Sequence, residues 1–134
     1  MILKKVDARK LDAAITFDRS FDAIEKMYGR SYRPPEVKVR LRRGRWSSGR
    51  TWGMMGRAWS VVVTLGTDPL DAAHVIVHEA AHCMPDSEGH EESFYLNMFK
   101  LVAALGMDKE HAIAREKVYK PRVMNKMMKR GRIK

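Results

Sequence analysis

Five consecutive residues, His78-Glu79-Ala80-Ala81-His82, set two imidazoles four positions apart with a carboxylate between them. On an α-helix, residues four apart lie nearly one above the other, so both rings can offer a nitrogen to a single tetrahedral Zn²⁺. Glu79 stands at the edge of that face, where its carboxylate reaches a water activated by the metal rather than the metal itself. The pattern therefore predicts a zinc-dependent hydrolase in which Glu79 accepts the water's proton and passes it to the departing group. A catalytic zinc site needs a third protein ligand and one open position. His90 is the candidate, eight residues after His82 and beyond a turn containing Pro85 and Gly89. Glu91 and Glu92 are its rivals, because a carboxylate on the following helix serves some HExxH sites equally well.

The neighbouring reactive side chains have plainer readings. His74, one turn before His78, is expected to be a packed helical histidine, with lining of the cleft as its functional alternative. His111 is expected at the surface. Cys83 is rotated 100° from His82, away from the shared face, and reads as a small buried apolar residue. Tyr95 could donate to an oxyanion but reads first as a core or rim tyrosine.

These residues need elements to hold them. Ala8 to Tyr28 has helical apolar spacing at Leu11, Ala14, Ile15, Phe17, Phe21, Ile24 and Met27, with Gly29 as a stop. From Glu36 the period becomes two: Val37, Val39 and Leu41 alternate with Lys38, Arg40 and Arg42. Arg50 to Met55 and Ala58 to Leu65 are expected as further strands. Asp68-Pro69 is a cap followed by a first-turn proline, opening a helix that runs to about Met84 and carries the histidines. A helix from about Glu91 closing at Gly106 follows, then a short one capped by Asp108 and ending before Pro121. The fold class is α+β: an N-terminal helix, a small antiparallel or mixed sheet of two or three strands, the HExxH helix and following helices. Residues 1–121 form one domain in this reading, and 122–134 a basic C-terminal tail, frayed in the free protein.

Charge is segregated. The formal net charge is +10, yet residues 58–114 carry nine acids against two bases, while 33–57 and 115–134 carry net charges of +7 and +8. Such flanks attract polyanions, and DNA or RNA is the expected partner through Arg40, Arg42, Arg43, Arg45 and the tail from Lys126 to Lys134. Trp46 and Trp52 lie among these arginines and could stack on unpaired bases, although a hairpin core position suits Trp52 slightly better. Cys83 is the sole cysteine, which excludes an intrachain disulfide. Met1-Ile2-Leu3 runs directly into Lys4-Lys5, so a cytoplasmic protein with no signal peptide and no membrane span is expected.

The sequence resembles the SprT-like (Spartan-type) zinc metallopeptidases over about Glu36 to Leu105. The likeness rests on a basic strand region, the strand Ser60-Val61-Val62-Val63-Thr64-Leu65 and the His78–His82 helix. It extends to a later histidine opening a helix with an aromatic four residues on, His90-Glu91-Glu92-Ser93-Phe94. The resemblance implies a minimal zincin-like domain that cleaves protein or peptide substrates, in some members while bound to DNA. It implies His78, His82 and His90 as zinc ligands and Glu79 as base. The ImmA/IrrE-type peptidases are the nearest rival family and would favour Glu91 or Glu92. The alternative from a different class is a nucleic-acid-binding or regulatory module with a structural or vestigial zinc site.

Overall fold

Asp7 opens the chain's first element by accepting a hydrogen bond from the Arg9 amide, leading into α1, Ala8–Tyr28, which ends at Gly29 with φ 72°. The computed structural model describes residues 7–54, 57–87 and 89–133. The readings of Met1 to Lys5, Met55, Gly56, Glu88 and Lys134 lie outside them. Of the apolar residues along α1, the buried stripe is Ala13, Phe17, Phe21 and Ile24, while Leu11 and Ile15 are exposed. At 100° per residue, those two sit roughly opposite the Phe17 stripe, so a single sheet-and-helix core can cover only one of the two faces.

Three strands follow: β1 (Glu36–Leu41), β2 (Ser48–Met54) and β3 (Arg57–Leu65). Their order is β1-β3-β2, with β1 parallel and β2 antiparallel to β3. Val61, Val63 and Leu65 of β3 point into the core, backed by the half-buried Val37, Val39 and Leu41 of β1. Ser60, Val62 and Thr64 turn to the other face, as the two-residue period requires. The strongest apolar strand in the sequence thus takes the centre of the sheet, and β2 is left as an edge.

Asp68 caps α2, Pro69–Ala81, through its carboxylate and the amides of Leu70 and Asp71. The helix stops three residues before the expected Met84. Cys83 and Met84 instead bond back to the carbonyls three residues earlier, tightening the last turn ahead of Pro85. Then come α3 (Glu92–Ala104), burying Phe94, Met98, Leu101 and Val102, and α4 (Lys109–Tyr119), capped by Asp108.

The expected frayed tail is a helix. Residues Pro121–Lys129 form α5, with Pro121 at its first position and Met124 and Met127 fully buried. Two methionines three apart on one face give a narrow apolar stripe inside a basic segment. Beyond it, Arg132 donates to the Glu92 carboxylate at 2.8 Å. The described residues thus form an α+β arrangement of five helices and a three-stranded mixed sheet, and no helix among them is long and apolar enough to cross a membrane.

Met124→Ala is expected to destabilise the protein by about 2–5 kcal/mol, whereas the exposed Lys126→Ala should change stability by less than about 0.5 kcal/mol. Urea unfolding of the two variants checks this, and equal stability would return residues 122–134 to the status of a loose tail.

Candidate metal centre

His78 lies in the last turn of α2 and His82 directly after its final residue, with ring centroids 5.1 Å apart. The chain then reverses through a turn in which Asp86 (φ 59°) and Gly89 (φ 48°) take left-handed conformations. Asn97 of α3 holds that turn, donating from Nδ2 to the Pro85 carbonyl and to Ser87 Oγ at 2.8 Å each, while Ser87 donates to the Ala81 carbonyl. The reversal delivers His90 to the pair on α2: its Nε2 lies 3.0 Å from that of His78 and 3.2 Å from that of His82. Phe94 stacks on the His82 ring at 4.1 Å and fixes its plane.

The donor set suits a metal ion. Tetrahedral bonds of about 2.0–2.1 Å put ligand nitrogens roughly 3.3 Å apart, a spacing that His90 Nε2 approaches with each of the other two nitrogens. Burial, followed by the proximity of His78, lowers the His82 pKa to about 3 and the His90 pKa to about 4. Both rings are therefore neutral near pH 7, with lone pairs available. His78, His82 and His90 can hold a metal ion. The two rival carboxylates stand elsewhere: Glu92 is engaged by Arg130 and Arg132, and Glu91 is exposed at the start of α3.

Glu79 is buried beside this cluster, its Oε1 accepting from Thr51 Oγ1 at 2.7 Å. Burial raises its pKa, against the opposing influence of His78 and the Thr51 hydrogen bond. The carboxylate presses on β2 where Gly49 leaves room: a Cβ there would sit 2.6 Å from Glu79 Cγ and 2.9 Å from Oε2. Only a residue without a side chain lets strand and carboxylate approach so closely.

The organising group is one that spacing did not reveal. Glu116 of α4 is buried, and its Oε2 accepts from His74 Nε2 at 2.5 Å and from His78 Nδ1 at 2.9 Å, while Tyr95 Oη donates to its Oε1 at 2.9 Å. Burial pushes this carboxyl's pKa up, but the hydrogen bonds from the two histidines outweigh it and hold the group below the ordinary range. With Nδ1–H of His78 committed to Glu116, the Nε2 lone pair is the one facing the cluster. His74 is packed, as expected, and also borders the cleft. Tyr95 is a core residue whose hydroxyl is taken by Glu116. His111 is partly buried with its ring edge-on to His74, rather than a free surface group. Cys83 is buried, its thiol pKa pushed up to about 12, and lies outside the metal-capable groups of the described residues.

A third buried acid, Asp71, ties the surrounding elements together, accepting from the Ser47 amide at 2.7 Å and pairing with Arg115 at 2.7 Å. In the sequence Asp71 is marked only by its place in the first turn of α2, where an acid suits the positive helix end. Histidines, Glu79, Arg115 and Tyr119 then line a cleft of about 710 Å³, floored on one side by residues 47–51.

No protein-family model matches the chain, and comparison with curated proteins and with solved structures returns no significant match. The site is thus read from its own chemistry.

Removing the Glu116 carboxylate should loosen metal binding without touching a ligand. Glu116→Ala is expected to weaken divalent-metal affinity by about 10- to 100-fold, and Glu116→Gln, which keeps one accepting oxygen, by less. Chelator competition ranks the variants, and identical affinities would detach Glu116 from the centre.

Proposed function

We propose that the protein is a zinc-dependent metallohydrolase acting on peptide bonds, with His78, His82 and His90 holding the metal and Glu79 as the proton acceptor. The observation that carries this reading is the convergence of three imidazoles, with His90 Nε2 3.0 and 3.2 Å from the Nε2 atoms of His78 and His82, beside a buried carboxylate and an open cleft. An all-nitrogen set of three fits zinc at a catalytic site, where the fourth position stays open. When bound there, zinc lowers the pKa of water towards about 7 and polarises a carbonyl.

The protein's own groups supply the rest. Glu79, desolvated and held by Thr51, takes the proton from the attacking water and returns it to the leaving amine. Glu116 holds the tautomer and plane of His78. An extended substrate is held by the free edge of β2, whose residues 48–51 line the cleft. β3 is paired on both sides, and of the two edge strands β2 is the one whose residues border the cleft. The resemblance of the sequence to SprT-like peptidases and the order of helix, sheet and HExxH helix support the same assignment. A structural zinc site, by contrast, would be closed by a fourth protein ligand and would gain nothing from a buried acid at its side.

About one zinc per chain is expected by metal analysis, falling sharply in His78→Ala and His82→Ala. Full occupancy in the double variant would place the metal elsewhere.

Glu79→Gln should retain zinc and fold while hydrolysis of a casein substrate drops by about 10²- to 10⁴-fold. Gly49→Ala should act similarly by displacing the Glu79 carboxylate. Undiminished turnover in both would remove Glu79 from the mechanism.

A further inference from the structure

All three tryptophans of this chain are exposed, at 49% for Trp46, 37% for Trp52 and 44% for Trp59. Residues of this size ordinarily bury most of their surface in a core or an interface, and here the sheet supplies a setting. Its inner face packs on the helices through Val61, Val63 and Leu65. Its outer face is uncovered among the described residues, and the register places Lys38, Val62 and Arg50 in one cross-strand row, with Arg40, Thr64 and Ser48 in the next. Glu36, Ser60 and Trp52 form the third row.

Trp52 and Trp59 wall a shallow groove across this face, whose floor and rim include Lys38, Arg40 and Val62. The Arg50 guanidinium lies 5.3 Å from the Trp52 ring centroid. Glu36, the acid in the groove, is already engaged by Ser60 Oγ at 2.9 Å and lies 3.7 Å from Lys38 Nζ. Exposed Arg42, Arg43 and Arg45 continue the positive charge off the end of β1.

Cations beside exposed indole faces match one class of polyanion. A phosphate backbone meets the cations, and unpaired bases meet the rings. A duplex keeps its bases stacked inside and offers the indoles nothing. An acidic protein surface would pair with the cations and leave the rings unused.

We propose that the outer face of the sheet binds single-stranded nucleic acid, with bases on Trp52 and Trp59 and phosphates on Lys38, Arg40 and Arg50. The groove shares no lining residue with the cleft, and Arg50, beside the Trp52 ring, stands where the two sites adjoin. Along β2, Thr51 points inward to Glu79, while Arg50 and Trp52 point outward. The proposal therefore stands apart from the hydrolase reading, and Glu79→Gln should bind nucleic acid as the unaltered protein does.

The test is fluorescence anisotropy with labelled 15-nucleotide oligothymidylate and oligouridylate, a matched DNA duplex, and polyaspartate, each titrated at several salt concentrations. The single strands should bind more tightly than duplex or polyaspartate, and the DNA and RNA arms show which sugar is preferred. Trp52→Ala and Trp59→Ala should each weaken binding by roughly 5- to 150-fold at an unchanged salt slope, with Trp52→Phe recovering most of the loss. Lys38→Ala, Arg40→Ala and Arg50→Ala should each flatten the log–log slope by about 0.7. Since these side chains are exposed, circular dichroism of the variants should match that of the unaltered protein. The proposal is overturned by absence of binding at low salt, by equal affinity for polyaspartate, or by Trp variants that bind undiminished. It is overturned too if Lys126→Ala and Lys129→Ala, rather than the sheet variants, carry the loss.

Discussion

The Glu116 carboxylate is the point on which three helices agree. It rides on α4, accepts from two histidines of α2 and one tyrosine of α3, and lies almost wholly out of water. A buried charge left alone costs several kcal/mol, so α4 can dock only where those donors meet it. Docking fixes the rest of the helix. Arg115, one residue earlier, falls on Asp71 and covers the Trp46 ring at 5.1 Å, closing the β1–β2 loop over the end of the cleft. Tyr119, less than a turn later, comes to lie edge-on to His90 at 4.9 Å. Satisfaction of one carboxylate thus sets the orientation of His78 and, through the same helix, the walls of the cleft.

The sheet imposes the complementary constraint. Side chains on β2 alternate, so Gly49 and Thr51 share the face towards α2 while Arg50 and Trp52 share the other. Thr51 donates to Glu79, and the same register brings Gly49 against the Glu79 side chain, where any Cβ would collide. The hydrogen bond and the missing side chain are one solution: the strand must come close enough for the hydroxyl to reach, and the neighbouring position must then be empty. A shift of β2 by one residue would exchange the two faces, putting Arg50 in place of Thr51 and Trp52 beyond it.

Local periodicity explains what could be read from the sequence. His78 and His82 share a face because four residues make roughly one turn, and Asp68-Pro69 marks where that helix begins. The alternation of Val37, Val39 and Leu41 likewise announced β1. Position within the sheet was not legible, because Ala58–Leu65 reads as a strand whether central or at an edge. Nor was the choice between the two apolar stripes of α1, which depends on what packs against them. Glu116 lies 38 residues from His78 with no spacing to connect them, and looks in the sequence like any acid in a helix. Asp71 and Arg115 have the same character. Polar pairing across a core is a property of three-dimensional docking, so periodicity carries no trace of it. The packed α5 was hidden differently, since its two anchoring methionines are diluted among lysines and arginines.

Charge segregation along the chain acquires a structural meaning from these contacts. The acids cluster in and around residues 58–114, and Asp71, Glu79 and Glu116 are buried among the described residues, facing histidines, an arginine and a threonine hydroxyl. Their negative charge is directed inward, where it positions the cluster, and contributes little to the field at the outer sheet face. The cations between residues 38 and 50 have no such internal work: Lys38, Arg40, Arg42, Arg43, Arg45 and Arg50 stay in water. Screening over about 8–10 Å at physiological ionic strength keeps exposed charges from acting far beyond their own face, so the face on which they sit matters more than the formal total. An acidic interior that organises imidazoles and a basic exterior that faces solvent are therefore two consequences of one arrangement, with β2 contributing a side chain to each.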